Sequence, residues 1–338
     1  MSKHKGYWKQ FNFASKRMKP KQVFETARSH TARLPTPWHE PRRGRPYRTK
    51  PRDYAALLVT ARLENWSTRD IEANSETLLG YTVDHASAAW ALAKILPNYF
   101  ETLVAQSYHF LVGASTQLFH AADSTGVRTD RKRVAERVFS FGKEIEDLKL
   151  HIIASWLPRK HAIAVASALC TRGERHDSPA LRELLQKTAL QPGSLFADRA
   201  YDAEKTFELA FEKQLSPVIK RRVNTRRGFF RKKACKCWNS LRYKKYRSRV
   251  ETVFAGSQAR NANTVRERLT KTRRRAVVLL AVAHNLRTAI RLGIQALATF
   301  IRQPPFLINN PHPEGPVPSG LASAFGGSGV LFYKLIGD

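Results

Sequence analysis

The stretch LKLHIIASWLPRKHAIAVASALCT, residues Leu148–Thr171, decides the fold class of this chain. It contains two runs of mainly apolar residues, LKLHIIASW and AIAVASALCT, on either side of the short loop LPRKH. Two such runs joined by a few turn residues are typical of two strands connected as a hairpin. The sequence therefore predicts neighbouring strands at Leu148–Trp156 and Ala162–Thr171.

Elements predicted outward from this hairpin complete an α/β pattern. Further strands are predicted at Gln117–Asp123, Ser194–Asp198 and Ser216–Lys220. Helices are predicted at His176–Leu190 with Ser178 as N-cap, Asp202–Gln214 with Asp202 as N-cap, Arg242–Gln258 and Asn263–Ile301. Three strands followed by alternating helices and strands indicate an α/β fold with a mixed sheet flanked by helices. This is also the element order of a ribonuclease H-like domain.

Composition divides the chain into four regions. Residues 1–52 are a basic N-terminal arm, which is either a solvated tail or an arm that lies along DNA. Residues 53–112 have a helical pattern, and residues 113–302 hold the α/β domain. Residues 303–338 are rich in Pro and Gly, so we expect a loosely ordered tail.

The helical region carries clear signals for helix ends. Ser67 is a candidate N-cap, Gly80 a candidate stop, and Asp84 a candidate N-cap for the next helix. Short helices in this order form either a helix-turn-helix DNA-binding unit or a plain helical bundle. The pattern does not separate the two interpretations.

The charge of the chain points to a polyanionic partner. The 338 residues include 59 basic and 27 acidic side chains, giving a net charge of +32. Nucleic acid is the usual partner of such a protein, and an acidic membrane surface is the weaker alternative. Three cysteines are too few for a disulfide framework or a four-ligand zinc site. With neither a signal peptide nor a spanning segment expected, we predict a cytoplasmic, nucleoid-associated protein with no membrane partner.

Two aspartates are predicted at the ends of two strands, Asp123 in AADSTG and Asp198 in FADRAY. Each alone is most simply a turn residue. If their strands are adjacent, however, the two carboxylates lie close together and need a positive charge between them. An internal Arg or Lys, a shared proton or metal ions would supply it. Oxygen ligands favour Mg²⁺ or Mn²⁺.

A third carboxylate stands alone in a basic segment. Residues 221–249 contain thirteen Lys and Arg, and no acid occurs between Lys213 and Val250. Glu251 then follows in YKKYRSRVETVF, in one helical stripe with Tyr243 and Arg247. The simplest interpretation is a helix ion pair with Arg247. Because Glu251 is the only acid in a long basic segment, we favour the interpretation that it is a third metal ligand beside the two aspartates.

Taken in order, AADSTG, KLHIIAS, TRGERHDSPALRELL, LFADRAYDAE, YKKYRSRVETVF and HNLRTAIRL resemble a DDE transposase of the insertion-sequence type. The resemblance spans about Leu118–Leu292 and fits the short-insertion subgroup with a Tyr-Arg-Glu helix. It implies a ribonuclease H-like core in which Asp123, Asp198 and Glu251 are catalytic and bind two Mg²⁺ or Mn²⁺ ions. Lys244 and Gln258 depart from the helix signature of the family.

The resemblance also implies partners: double-stranded DNA, as terminal inverted repeats and target, and a second copy of the chain in a synaptic complex. The basic segment would follow the DNA backbone, with Arg247 on a phosphate and aromatic residues stacking on bases or packing on the core. The candidate DNA contacts are Arg231, Lys232, Lys233, Trp238, Tyr243, Lys244, Lys245, Arg247 and Arg249. Two alternatives stay open, a nuclease without strand transfer and a catalytically decayed DNA-binding protein. A structural nucleoprotein would explain the charge but not the carboxylates.

Overall fold

The computed structural model describes residues 18–38, 46–113, 118–129, 138–140, 143–145, 148–222, 227–258 and 264–293. These residues all belong to one compact unit, Met1–Thr299. The second unit, Phe300–Asp338, includes the predicted tail and lies outside the described residues, as do residues 1–17 of the predicted arm.

In the part of the chain that the structure describes, five helices precede the sheet. They are α1 Pro20–Ala32, α2 Pro51–Glu64, α3 Thr68–Leu79, α4 His85–Lys94 and α5 Tyr99–Val112. The predicted helix ends are confirmed: Ser67 and Asp70 form a capping box at the start of α3, Gly80 ends it at a φ of 80°, and the Asp84 carboxylate caps α4.

Helix α1 falls inside the predicted N-terminal arm, yet it is a packed element. Its side chains Val23, Phe24 and Ala27 are buried in the hydrophobic core. Arg28 Nε also donates to Asp53 Oδ1 of α2 at 2.9 Å. Pro20–Ala32 is therefore a folded part of this basic region, because the apolar face of the helix is covered by α2.

The sheet is mixed and confirms the predicted α/β class. Its strands are β1 Leu118–Thr129, β4 Leu148–Leu157, β5 Ala162–Arg172, β6 Gly193–Ala197 and β7 Leu215–Ile219, in the order β5-β4-β1-β6-β7. Strands β5, β4 and β1 pair antiparallel, whereas β1, β6 and β7 pair parallel. The separate pair of β2 Val138–Ser140 and β3 Lys143–Ile145, and β8 Thr264–Val265 beside the end of β1, were not predicted.

Six helices accompany the sheet within the described residues, and they differ from the predicted helices in several places. They are α6 Asp177–Lys187, α7 Glu204–Glu212, α8 Phe229–Cys235, α9 Ser240–Arg247, α10 Glu251–Gln258 and α11 Thr270–Arg291. The helix predicted over Arg242–Gln258 is interrupted by a 3₁₀ turn at Ser248–Val250. The long helix begins only at Thr270, and β8 lies within the span predicted as its first turns. Asp202 and Ser178 are not N-caps; the cap positions are Ala203 and His176.

The N-terminal helices and the sheet share a hydrophobic core. One cluster joins side chains of α1 to α5 with α11 and one face of the sheet, and α6 and α7 cover the other face. The buried Asn285 of α11 fixes this arrangement: it accepts from the Val165 amide at 2.7 Å and donates to the Val165 carbonyl at 2.8 Å and to Ser107 Oγ of α5 at 2.9 Å. Within the described part of the chain, no helix combines the length and apolar character needed to span a bilayer.

Candidate active site

The first predicted carboxylate lies in the middle of a strand, not at its end. Strand β1 continues past Asp123 because β4 pairs with it as far as Val127. The parallel pairing of β1 with β6, however, stops at Ala122 and Ala197. Asp123 and Asp198 each follow that last pair directly. The prediction that this strand ends at Asp123 is therefore wrong. The two aspartate-bearing strands are adjacent, which is the condition under which the two carboxylates are expected to lie close together.

One guanidinium group, that of Arg247, joins the three predicted carboxylates. Its Nη2 lies 3.3 Å from Asp123 Oδ2 and 3.8 Å from Asp198 Oδ2, and its Nη1 contacts Glu251 Oε1. Arg247 ends α9 and Glu251 begins α10, so the 3₁₀ turn between them keeps the i, i+4 contact. The sequence left three sources of positive charge open for these carboxylates: an internal Arg or Lys, a shared proton, or metal ions. The structure places an internal arginine, Arg247, among them.

Burial differs among the three acids. The Asp123 side chain is only 16% exposed, against 47% for Asp198 and 51% for Glu251. Burial raises the pKa of Asp123, and the nearby Glu251 and Asp198 add to the rise, while the Ser124 amide and Arg247 oppose it. Burial lowers the pKa of Arg247, but the three carboxylates more than compensate and hold it above its usual value. The site therefore favours a cation.

Asp198 has a local capping role, whereas Asp202, the predicted N-cap, is held by residues distant in the chain. Asp198 Oδ1 accepts from the Arg199 amide at 2.6 Å and caps the 3₁₀ turn Arg199–Tyr201, so it does have a structural partner. Asp202 is buried and accepts from Arg231 Nε at 2.7 Å and from the Arg222 amide at 2.6 Å. Asp198 also keeps one carboxylate oxygen toward Arg247.

The candidate DNA contacts fall into two groups. The side chains of Lys232, Lys233, Trp238, Lys244 and Lys245 are exposed on α8, α9 and the turn between these helices. The others are only partly exposed. Arg231 is held on Asp202, and Arg249 lies 3.6 Å from the centroid of the Trp156 ring.

Tyr243 is half-buried between these groups. Its ring packs against Trp238 with 5.0 Å between centroids. Burial raises the pKa of Tyr243, and the Asp198 carboxylate adds to the rise. Two apolar side chains nearby, Phe229 and Leu241, are 73% and 78% exposed. The surface beside the three carboxylates thus mixes positive charge with exposed apolar groups.

A fourth carboxylate near the site was not singled out as a functional residue. Asp177 at the start of α6 accepts from Ser124 Oγ at 3.0 Å and lies 2.6 Å from Lys149 Nζ. In the sequence, His176 and Asp177 looked like the entry to a helix. Only the register of β1 with β4 indicates that Asp177 lies near the site. Sequence periodicity does not predict that register.

Another acidic group lies away from the sheet. Among the described residues, Glu72, Asp84 and His85 have ligand atoms that all lie within 4.8 Å of one another. Asp84 caps α4, and Glu72 Oε2 is 2.7 Å from His85 Nδ1, so the structure already explains this cluster. The three carboxylates around Arg247 are less tightly gathered, with a guanidinium among them.

Comparison with known families adds one finding. A family model described as a transposase DDE domain matches residues 115–286, just over half of the 338-residue chain. The match runs from the start of β1 into α11 and contains Asp123, Asp198, Arg247 and Glu251. No curated protein matches the chain closely enough to count as a relative.

Proposed function

Because this chain belongs to the transposase DDE domain family, we propose that it cuts DNA at the ends of a transposable element and joins the freed ends to target DNA. Membership makes the protein a transposase, with nuclease chemistry and a DNA substrate. The proposal adds the strand-transfer step, the residues that perform the chemistry and the cations that they use.

The observation that carries the proposal is the convergence on Arg247. Three carboxylates from β1, from the residue after β6 and from α10 meet one guanidinium. Such a convergence has no evident use in holding the sheet together, because two of the three side chains are about half exposed. We assign Asp123, Asp198 and Glu251 as the catalytic carboxylates.

The donor set fits hard divalent cations. Carboxylate oxygens are the ligands that Mg²⁺ and Mn²⁺ prefer, and the guanidinium among them is a positive group already held at this position. Asp123, Asp198 and Glu251 would hold two such ions. Bound there, the ions would polarise the phosphoryl group and lower the pKa of an attacking water.

The side chains divide the remaining work. Asp123, the most buried of the three, has an amide hydrogen bond from Ser124 that fixes one oxygen, so its other oxygen keeps a constant direction. In the free protein, the positive charge of Arg247 balances the negative charge of the three carboxylates. When bound cations balance the carboxylates instead, the Arg247 guanidinium would bind a DNA phosphate. The chemistry needs no covalent link between protein and DNA, and no Ser or Tyr is assigned as a nucleophile.

The basic surface next to the carboxylates would guide the DNA. Lys232, Lys233, Lys244 and Lys245 supply exposed charge, and Trp238 with Tyr243 offers a stacking surface. Arg249, whose guanidinium stacks on the Trp156 ring, would also contact DNA. We further propose that residues 53–112 and the basic N-terminal residues bind the terminal inverted repeats. Two copies of the chain would act together in the synaptic complex. The protein would be associated with the nucleoid.

The test is a strand-transfer assay. A short duplex that ends in the repeat flanking the gene, with a free 3′-hydroxyl, is incubated with the protein, a supercoiled plasmid and Mg²⁺. A covalently joined product is expected with the parent protein and with the exposed control Glu212→Gln, but not with Asp198→Asn. Cleavage of a second, uncut duplex that carries the terminal repeat, without any joined product in this assay, would instead make the protein a nuclease. DNA binding without either reaction would make it a non-catalytic DNA-binding protein.

A further inference from the structure

Behind Asp123, on the other face of the sheet, lies a compact polar cluster centred on Asp177. Neighbouring residues of a strand point to opposite faces, so Asp123 faces α9 while Ser124 faces α6. On the α6 side, Asp177 Oδ1 accepts from Ser124 Oγ at 3.0 Å and lies 2.6 Å from Lys149 Nζ. The same oxygen is 3.5 Å from His151 Nδ1.

The register of the strands builds this cluster. Ser124 of β1 stands directly opposite His151 of β4, and Lys149 is opposite Gly126, so these side chains share one face. His151 Nε2 is within 2.9 Å of Thr171 Oγ1 on β5. Two neighbouring strands and the first turn of α6 therefore meet at one carboxylate, and β5 is connected to it through His151.

The cluster is largely enclosed. The Asp177 side chain is 16% exposed, and His151 is buried. Burial lowers the pKa of His151 to about 4, with Asp177 opposing the shift and Lys149 reinforcing it. The hydroxyl of Tyr201 is buried near Asp177, Asp123 and Ser124. A fixed, partly desolvated ion pair of Asp177 with Lys149 lies at the centre.

Ser124 connects the two faces. Its amide donates to Asp123 Oδ1 at 2.9 Å, and its hydroxyl donates to Asp177 Oδ1. The orientation of Ser124 in the strand therefore sets the direction of one Asp123 carboxylate oxygen. The hydrogen bond to Asp177, on the opposite face of the sheet, holds Ser124 in that orientation. A carboxylate that only started α6 or paired with Lys149 would not need this hydroxyl.

We propose that Asp177 is a positioning residue for Asp123, acting through Ser124. The proposal rests on the function proposed above, in which Asp123 binds divalent cations. Outer partners of ligating carboxylates typically change metal affinity by about 10- to 100-fold when they are removed. Asp177 has this role without touching the substrate or the cation.

Direct Mn²⁺ binding to the full chain tests the proposal, with the metal alone as the probe. Ser124→Ala is the cleanest variant, because it removes the link and leaves the Asp177–Lys149 pair in place. Ser178→Ala is the matched control: its hydroxyl is also buried and bonded, to Thr206 Oγ1 at 2.9 Å, but it has no bond to Ser124 or Asp123. Melting temperatures measured without metal report whether each variant folds.

The expected result is a Mn²⁺ affinity about 10-fold weaker in Ser124→Ala and in Asp177→Asn, and unchanged in Ser178→Ala. Because both changes break one chain of contacts, the double variant should bind no more weakly than either single variant. Parental affinity in folded Ser124→Ala, or losses that multiply in the double variant, would overturn the proposal.

A further variant separates this inference from the function on which it rests. Asp123→Asn should lose most Mn²⁺ binding. If it does so while Ser124→Ala binds like the parent, only the positioning role fails. If Asp123→Asn binds Mn²⁺ like the parent, the proposed site and the positioning role fail together.

Discussion

Arg247 Nη2 lies 3.3 Å from Asp123 Oδ2, although the two residues are 124 positions apart in the chain. The contact joins α9 to the middle of β1 and draws Asp198 and Glu251 toward the same guanidinium. The arginine thus supplies the positive charge that three neighbouring carboxylates require in the free protein. Binding of a divalent cation at these carboxylates has to compete with it.

This competition predicts opposite effects of Arg247→Ala on binding and on activity. Two unit charges 4 Å apart interact by roughly 4 kcal/mol near a protein surface, so removing the guanidinium should tighten Mn²⁺ binding by about tenfold or more. DNA cleavage should nevertheless be lost, because the side chain proposed to hold the phosphate beside the carboxylates is gone. Calorimetric Mn²⁺ titration and a nicking assay check the two effects, with Arg247→Lys as the charge-retaining control. Weaker Mn²⁺ binding in folded Arg247→Ala would count against the competition.

The buried His120 predicts an acid-sensitive fold. Its Nε2 lies 2.8 Å from the Gln191 carbonyl, which can only accept, so the neutral ring accepts from Ser155 through Nδ1 at 2.7 Å. Burial lowers the pKa of His120 to about 4. The folded state thus binds fewer protons than the unfolded state between pH 6.5 and 4, and stability falls as the pH drops through this window.

Urea unfolding of the parent and of His120→Gln at pH 7 and pH 4.5 measures this contribution. The parent should lose about 2 kcal/mol more than the variant over that interval, because pH 4.5 still lies above the folded pKa and so only part of the full linkage is lost. His30 and His151, also buried with a pKa of about 4, contribute equally to both proteins. Equal losses in parent and variant would show that His120 titrates normally in the folded chain.

Neighbouring basic residues of α8 should behave differently when substituted. Arg231 is held by the buried Asp202, so Arg231→Met leaves a buried charge without its partner and should destabilise the fold by about 3–5 kcal/mol. Lys232 is exposed, and Lys232→Met should change stability by less than about 0.5 kcal/mol.

DNA affinity over a range of salt concentrations distinguishes a phosphate contact at Lys232. Its loss should reduce the slope of log affinity against log salt by about 0.9. An unchanged slope in Lys232→Met would place this lysine away from the DNA backbone.

The sequence predicted the sheet and its neighbours well because the apolar runs are long and flanked by turn residues. The sequence left the adjacency of the two aspartate-bearing strands open, and the pairing of β1 with β6 is what brings Asp123 and Asp198 to one place. The i, i+4 spacing likewise predicted that Arg247 meets Glu251.

What could not be predicted depends on tertiary pairing. Strand β1 runs on past Asp123 because β4 continues to pair with it, and a local turn pattern in STG gives no hint of that partner. The link from Asp177 to Ser124 likewise needs the register that sets Ser124 opposite His151. Asp202 is a poor N-cap here because a distant arginine, Arg231, takes its carboxylate.

The claim at the centre of this account is that Asp123, Asp198 and Glu251 together perform Mg²⁺-dependent DNA cleavage. The most direct measurement is single-turnover cleavage of a duplex carrying the element's terminal repeat, by the parent, by Asp123→Asn, Asp198→Asn and Glu251→Gln, and by the control Glu212→Gln. We expect the three site variants to bind this DNA, remain folded and cleave at least about 10³-fold more slowly, a loss of ~4 kcal/mol in transition-state stabilisation. The control should cleave like the parent. Cleavage at the parental rate by any of the three site variants would contradict the assignment of these carboxylates.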